Sequence, residues 1–183
     1  MRYLVVTENI TLDGVIDASE GWFNPGDAGE TDLSDQLAAL EAQREGADAL
    51  LLGRQTFEEF RGYWPHQTDD QTGISDYLNT VSKYVVSTTL QDPEWEHSTV
   101  LRELAEVEAL KTQPGKDIVT TGSIKLVHSL MAAGLVDEYR LFVYPVVLGK
   151  GARLWQDGTP TTNLRLVDTQ PFRSGVALLR YRT

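Results

Sequence analysis

The sequence predicts an α/β protein with a mostly parallel sheet that antiparallel strands extend at its C-terminal end. Up to residue 133, short apolar runs alternate with helical patterns. Beyond that point, partly alternating runs follow one another with turns and no helix between them. A chain of 183 residues with 41% hydrophobic residues forms one domain of ordinary size, so we expect a single domain over residues 1–183.

The first elements follow from local patterns. Residues 3–7 form an apolar, β-branched run and predict the first strand. Apolar residues recur at helical spacing over 33–40, which predicts an amphipathic helix that ends at Gly46. The apolar run 49–52 predicts a second strand, and a short helical pattern over 57–60 follows it.

The middle of the chain continues the alternation. Helices are predicted near 74–81, over 102–110 and over 124–133. Buried strands are predicted over 83–87 and 118–121, because both are short apolar runs between turn residues. This order of strands and helices is typical of a parallel sheet.

The last predicted strands cover 138–147, 164–167 and 176–181. Their apolar residues leave sheet edges that need cover, and pairing across a two-fold axis supplies it. We therefore expect a homodimer.

Two of the strands run directly into glycine turns that open helical patterns. Such a turn aims backbone N–H groups and the positive end of a helix at one point, which is an anion-binding arrangement. Two such turns in one small protein indicate a dinucleotide, whose phosphates both turns contact. The alternative is that glycine merely terminates each strand. The predicted cofactor-binding residues here are Gly53, Arg54, Thr56, Gly122, Ser123 and Ile124.

Charge and composition exclude other classes. The net charge of -11, without a local cluster of Lys or Arg, disfavours nucleic acid and acidic membranes as partners. The chain has no cysteine, and its three histidines lack metal-ligand spacing, so we expect no metal site. No apolar run has spanning length and the N-terminus lacks a signal-peptide core, which predicts a cytoplasmic protein.

The motifs together resemble the dihydrofolate-reductase-like superfamily, and within it the reductase domain of bacterial riboflavin-biosynthesis deaminase-reductases. The matching pieces are Thr11-Leu12-Asp13-Gly14, residues 51–58, Trp64-Pro65, Gly122-Ser123, residues 134–141, residues 145–151 and Leu154-Trp155. They occur in the expected order over nearly the whole chain. The resemblance implies a three-layer fold with helices on both faces of a mixed sheet, NADPH as hydride donor, and usually a homodimer.

The resemblance also frames further candidate residues. Ser87, Thr88 and Thr89 end the third strand, where such sheets bind ligands, and are candidates for the adenosine ribose and its 2′-phosphate. An ordinary polar turn explains them as well. Asp13 is the candidate catalytic residue, because by sequence it lies nearest the nicotinamide pocket. A Leu-Asp-Gly turn in which Asp bonds its own backbone is the alternative.

Aromatic side chains are candidates for the substrate wall, because their faces stack on conjugated rings. We assign Trp22, Phe57 and Trp64 to this wall, with core packing as the alternative. The chain departs from the riboflavin-pathway reductases in two places. It has residues 60–65 where they carry Asp-Asp-Pro, and Thr121 where they commonly have Glu. These differences point to another substrate.

The expected function is therefore NADPH-dependent transfer of a hydride to a small conjugated or carbonyl-type substrate, and reduction of dihydrofolate or of a riboflavin-pathway pyrimidinone is the second enzymatic possibility that the resemblance implies. Hydride transfer requires the protein to hold the nicotinamide against an electrophilic carbon and to exclude water. The alternative is an NADP-binding regulator or a sequestering protein of the same fold, which the lack of an evident proton donor favours.

Overall fold

The computed structural model describes residues 1–19, 21–23, 31–68, 70 and 73–183. Its strands are β1 (Leu4–Thr11), β2 (Ala47–Gly53), β3 (Ser82–Val86), β4 (Ser98–Leu101), β5 (Asp117–Thr120), β6 (Glu138–Tyr144), β7 (Arg165–Pro171) and β8 (Ala177–Arg182). Its helices are α1 (Ser34–Glu45), α2 (Arg54–Tyr63), α3 (Ile74–Thr80), α4 (Leu104–Thr112) and α5 (Ile124–Ala132), with a short 3₁₀ turn over Trp64–His66. Within these ranges no helix is long and apolar enough to cross a membrane.

The strands form one sheet in the order β4-β3-β2-β5-β1-β6-β8-β7. All pairs from β4 to β6 are parallel, while β8 is antiparallel to both β6 and β7. The prediction of a mostly parallel sheet with antiparallel C-terminal strands is confirmed. The structure adds that β6 lies parallel to β1, so the antiparallel pairing begins with β8.

Helices cover both faces of the sheet. On one face, Leu4 and Val6 of β1 pack in a cluster with Val107 of α4 and Leu130 of α5. On the other face, the buried side chains of β2 and β3 pack against α2 and α3, and Phe142 of β6 packs against α1. The side chains of successive strand residues point to opposite faces, which explains this division. The predicted three-layer arrangement is confirmed.

Strand β4 is an element that the sequence pattern did not reveal. Its four residues, Ser98–Leu101, form the edge of the sheet, and only Leu101 among them is buried. A short edge strand with polar residues carries almost no periodic signal. The following helix begins at Leu104 rather than at residue 102, because Glu103 caps its N-terminus in a capping box with Glu106.

Candidate functional site

The two glycine turns contact each other directly. Strands β2 and β5 are parallel neighbours, so their carboxyl ends meet at the same edge of the sheet. The Gly53 N–H donates to Ser123 Oγ at 2.9 Å, and the Ser123 N–H donates to Thr56 Oγ1 at 3.1 Å. Helices α2 and α5 therefore begin side by side.

These contacts correct one detail of the predicted phosphate site. The N–H of Gly122 donates to Glu8 Oε2 at 3.2 Å and that of Ser123 donates to Thr56, so neither is free for a ligand. The first N–H groups of α2 and α5 have no partner within their helices, and neither helix has a side-chain cap hydrogen bond. The groups able to bind an anion are thus the first-turn N–H groups, including those of Arg54 and Ile124.

The backbone before α5 adopts an uncommon conformation. Gly122 and Ser123 have φ values of 56° and 51°, both left-handed. A left-handed residue other than glycine costs about 1–2 kcal/mol, which the hydrogen bonds of Ser123 offset. Strain of this kind concentrates at functional sites. Here it turns the chain sharply, so that α5 starts at the edge of the sheet.

A cleft of about 1100 Å³ opens at this edge. The first turns of α2 and α5 and the N-terminus of α4 line it, and their charged side chains are Arg54, Glu59, Arg102, Glu103 and Lys125. The loop after β1 also lines it, and there Trp22 and Phe23 contribute aromatic faces. Residues of β1 complete the lining. The cleft therefore combines helix N-termini with aromatic side chains.

The cationic side chains of the cleft differ in their exposure and in their contacts with the protein. Arg54 is about half exposed and forms an ion pair with Glu58 at 3.1 Å, a surface pair that solvent screens. Arg102 is a lining residue that the sequence analysis did not assign to the site. Its Nη1 donates to the carbonyls of Ser87 (2.9 Å) and Leu90 (2.7 Å), so it ties the turn after β3 to the cleft.

The predicted ribose-binding cluster is only adjacent to the cleft. The Ser87 hydroxyl accepts hydrogen bonds from the N–H groups of Thr89 (3.2 Å) and Leu90 (3.0 Å), which makes it part of its own turn. Thr88 and Thr89 are exposed, and none of the three residues lines the cleft. The polar-turn alternative fits Ser87, because its side chain is buried and occupied.

The Asp13 carboxylate binds its own turn and the backbone of a second loop. Its Oδ1 accepts hydrogen bonds from the Thr11 hydroxyl and the Leu148 N–H, and its Oδ2 accepts one from the Gly149 N–H at 2.7 Å. These bonds, led by that from Thr11, lower the pKa of Asp13 to about 2. Asp13 is not among the residues that line the cleft, and its carboxylate joins two loops, so the turn alternative fits it while the catalytic role stays a prediction.

The three aromatic candidates for the substrate wall have different environments. Trp22 lines the cleft, packs edge-on against Tyr144 at 5.5 Å, and donates its Nε1–H to the carbonyl of Asp17. Phe57 is fully buried against Trp95, and Trp64 packs on the same apolar cluster. The assignment of Phe57 and Trp64 to a substrate wall is therefore corrected to core packing, since neither lines the cleft.

Glu8 is the main residue that the sequence analysis missed. It lies in β1, lines the cleft, and is only 4% exposed. Burial raises the pKa of its carboxyl well above the ordinary value. A signal was present: Glu8 is two residues from Val6 and from Ile10, so strand alternation places it on the same buried face.

The fold and the cleft together define the class of this protein, an α/β protein with the dihydrofolate-reductase-like fold. Two solved structures are similar over almost the whole chain. A protein from Shewanella sp. PV-4 assigned to riboflavin biosynthesis has a TM-score of 0.69 at 16% identity and covers 98% of each chain. A pyrimidine reductase-like protein from Corynebacterium diphtheriae has a TM-score of 0.67 at 18% identity, over 99% of this chain and 91% of the other.

The family is shown by sequence. The model of the RibD C-terminal domain family matches residues 2–178, and the chain belongs to this family, which is reductase-like. The chain is 34% identical to the YyaP protein of Bacillus subtilis strain 168, over 98% of this chain and 94% of YyaP. It is 30% identical to the YwjB protein of the same strain, over 97% of this chain and 96% of YwjB.

Proposed function

We propose that this protein is an NADPH-dependent reductase of a small conjugated or carbonyl-type substrate. The observation that carries the proposal is the meeting of two uncapped helix N-termini, those of α2 and α5, in one cleft. Their aligned dipoles and free N–H groups favour a phosphate-bearing ligand. The reductase-like family supports a nicotinamide cofactor as that ligand.

The residues of the cleft fit such a cofactor. Three cationic side chains line the cleft beside the acidic side chains of Asp17, Glu59 and Glu103, so the attraction for phosphates rests chiefly on the two helix N-termini. The cleft volume of about 1100 Å³ slightly exceeds the roughly 300–1,000 Å³ of small-molecule sites, which leaves room for a substrate beside a cofactor. Trp22 and Phe23 offer that substrate an apolar wall.

Cofactor binding is expected to depend on the absence of a side chain at residue 53. In Gly53→Ala, the new Cβ lies 3.6 Å from the Ser123 side chain, an ordinary contact, so the fold tolerates it. The same methyl group narrows the space between the two helix N-termini. We expect NADPH affinity to fall about tenfold, which corresponds to ~1.4 kcal/mol. Quenching of the tryptophan emission measures the affinity.

Gly62→Ala is the matched control. Gly62 lies in α2, the helix that Gly53 caps, and outside the cleft, with nothing within 4 Å of the added Cβ. It should leave NADPH affinity unchanged and raise stability by about 0.5–1 kcal/mol. Equal affinities of Gly53→Ala and the parent protein would argue against phosphates between α2 and α5. A parent protein that does not bind NADPH at millimolar concentration would contradict the proposal itself.

A second candidate function is an NADP-binding regulator or sequestering protein that has the fold without turnover. The position of Asp13 favours it, because the acid assigned to catalysis is outside the cleft. NADPH oxidation in the presence of a panel of enones, quinones and aldehydes separates the two functions. Oxidation that saturates with one compound supports the reductase, whereas tight NADPH binding with no oxidation across the panel supports the regulator.

We also propose that the protein is a cytoplasmic homodimer. Strand β7 lies at the edge of the sheet, and six of its seven residues are exposed, including half of the Leu166 surface. Such an edge offers unpaired backbone groups to a second copy. Analytical ultracentrifugation at micromolar concentration should give the mass of two chains of 20.4 kDa. A single species at the mass of one chain would overturn the dimer.

A further inference from the structure

Glu8 lies behind the turn Gly122-Ser123 that precedes α5, which we call the anion-binding turn. Its Oε2 accepts the hydrogen bond from the Gly122 N–H at 3.2 Å, and Gly122 is the left-handed residue that precedes the cap of α5. Its Oε1 is buried and has no hydrogen-bond partner in the part of the chain that the structure describes. The carboxyl therefore holds the turn with one oxygen and leaves the other unused.

No cation compensates a charge at this position. The charged side chains that line the cleft with Glu8 are Asp17, Arg54, Glu59, Arg102, Glu103 and Lys125, and the titratable side chains of Tyr139 and His128 lie on the neighbouring β6 and α5. Among the described residues, none of them forms a hydrogen bond or an ion pair with Glu8. Burial is the main influence and raises the pKa of Glu8, while the Gly122 hydrogen bond opposes it. An ionised Glu8 is thus costly in this position.

We propose that Glu8 is the positioning residue of the anion-binding turn: it holds Gly122 in place, and it must be uncharged for a phosphate to occupy the cleft. This inference rests on the proposed binding of NADPH. A carboxylate directly behind Gly122 would repel a phosphate at the first turn of α5, and the low dielectric of the buried site strengthens that repulsion. A neutral carboxyl accepts the same hydrogen bond without the charge.

The proposal predicts a pH dependence of cofactor affinity that Glu8→Gln removes. The glutamine carbonyl accepts the Gly122 hydrogen bond and carries no charge. Across pH 5–9.5, NADPH affinity of the parent protein should fall relative to Glu8→Gln by about tenfold or more as Glu8 ionises. Because the phosphates of NADPH titrate equally in both experiments, the difference between the two curves isolates Glu8. Inorganic pyrophosphate serves as a second probe of the same site.

Two further variants complete the test. Glu8→Ala removes the acceptor for Gly122, so its NADPH affinity should be about tenfold weaker at every pH. Glu59→Gln removes a charge from the exposed wall of the cleft, and its affinity should change by a factor that does not vary with pH. Circular dichroism establishes that each variant is folded.

The outcomes separate this inference from the proposed function. Parallel curves for the parent protein and Glu8→Gln, together with unchanged affinity in Glu8→Ala, would overturn the role of Glu8 while NADPH binding stands. If pyrophosphate binds with the predicted pH dependence and NADPH does not bind, the proposed function fails and the role of Glu8 stands. Binding of neither ligand at any pH overturns both.

A ligand-free measurement provides an independent check. A carboxyl whose pKa is raised in the folded state contributes stability that is complete below its unfolded pKa and is lost as the pH rises through the folded value. The free energy of unfolding of Glu8→Gln should therefore increase relative to that of the parent protein as the pH rises above about 4.5. A constant difference across the range would show that Glu8 ionises as freely in the folded protein as in the unfolded chain.

Discussion

Replacing Glu138 with alanine is expected to destabilise the folded protein by about 3–5 kcal/mol. The Glu138 carboxylate is buried and receives hydrogen bonds from Arg140 Nε at 2.8 Å, Arg180 Nη2 at 2.8 Å and Arg182 Nε at 2.9 Å. Its removal would leave three guanidinium groups close together without their shared acceptor. Urea denaturation followed by circular dichroism measures the loss.

The matched control for this prediction is Asp168→Ala. Asp168 lies 3.8 Å from Arg180 but is about half exposed, so its removal should cost less than about 1 kcal/mol. Similar losses for the two variants would contradict the view that burial and the hydrogen bonds from three arginines make Glu138 important.

The Glu138 effect should also depend on pH. Burial raises the pKa of this carboxyl, but the hydrogen bonds from the three arginines outweigh burial and lower it to about 2. A lowered pKa contributes stability that is present above the unfolded value and is lost as the pH falls through the folded value. The difference between the parent protein and Glu138→Ala should therefore shrink between pH 4.5 and about 2.

Gly151→Ala is the second substitution with a large expected effect, a loss of about 2–4 kcal/mol. Gly151 has a φ of 101°, and a Cβ added to it would lie 2.8 Å from Cγ1 of the fully buried Val15. The substitution thus combines a strained backbone with an overpacked contact. Thermal unfolding followed by circular dichroism measures it.

Gly149→Ala separates these two costs. Gly149 has a φ of 72°, and nothing lies within 4 Å of an added Cβ, so this variant carries the backbone cost of about 1–2 kcal/mol alone. Gly151→Ala should also disturb ligand binding, because the adjacent Ala152 lines the cleft and accepts the Ile16 hydrogen bond. If the two variants lose the same stability, the contact with Val15 is not the cause.

The order of strands and helices was predictable because it depends on local patterns. Apolar runs such as 49–52 and 118–121 are long enough to mark buried strands, and both were found as β2 and β5. The edge strand β4 was not predictable, because Ser98 and Thr99 are polar and the strand pairs with a neighbouring strand along one edge only. The parallel pairing of β6 with β1 was equally hidden, since strand direction is set by contacts distant in sequence.

Some residues of the candidate site could likewise be predicted from the sequence, and others could not. Gly53 and Gly122 were identified because glycine turns between strand and helix have a recognisable pattern, and the structure places them in one cleft. Asp13 and Phe57 were assigned by residue type and position in the chain, and their partners gave them other roles. Glu8 was missed because it lies just beyond the predicted strand 3–7, although alternation with Val6 and Ile10 places it on a buried face, and its lack of a partner for Oε1 is visible only in the structure.

The sequence by itself determined the family, the alternation of elements and the two turns that open α2 and α5, because each is written in residues close together in the chain. The tertiary structure decided which polar groups have hydrogen-bond partners within the protein and which face the cleft. It joined Ser123 to Gly53, placed Glu8 behind Gly122 and bound the Asp13 carboxylate to the N–H groups of Leu148 and Gly149. The physical reason is that burial and hydrogen-bond partners, which set the charge and availability of a side chain, arise from segments that lie far apart in sequence.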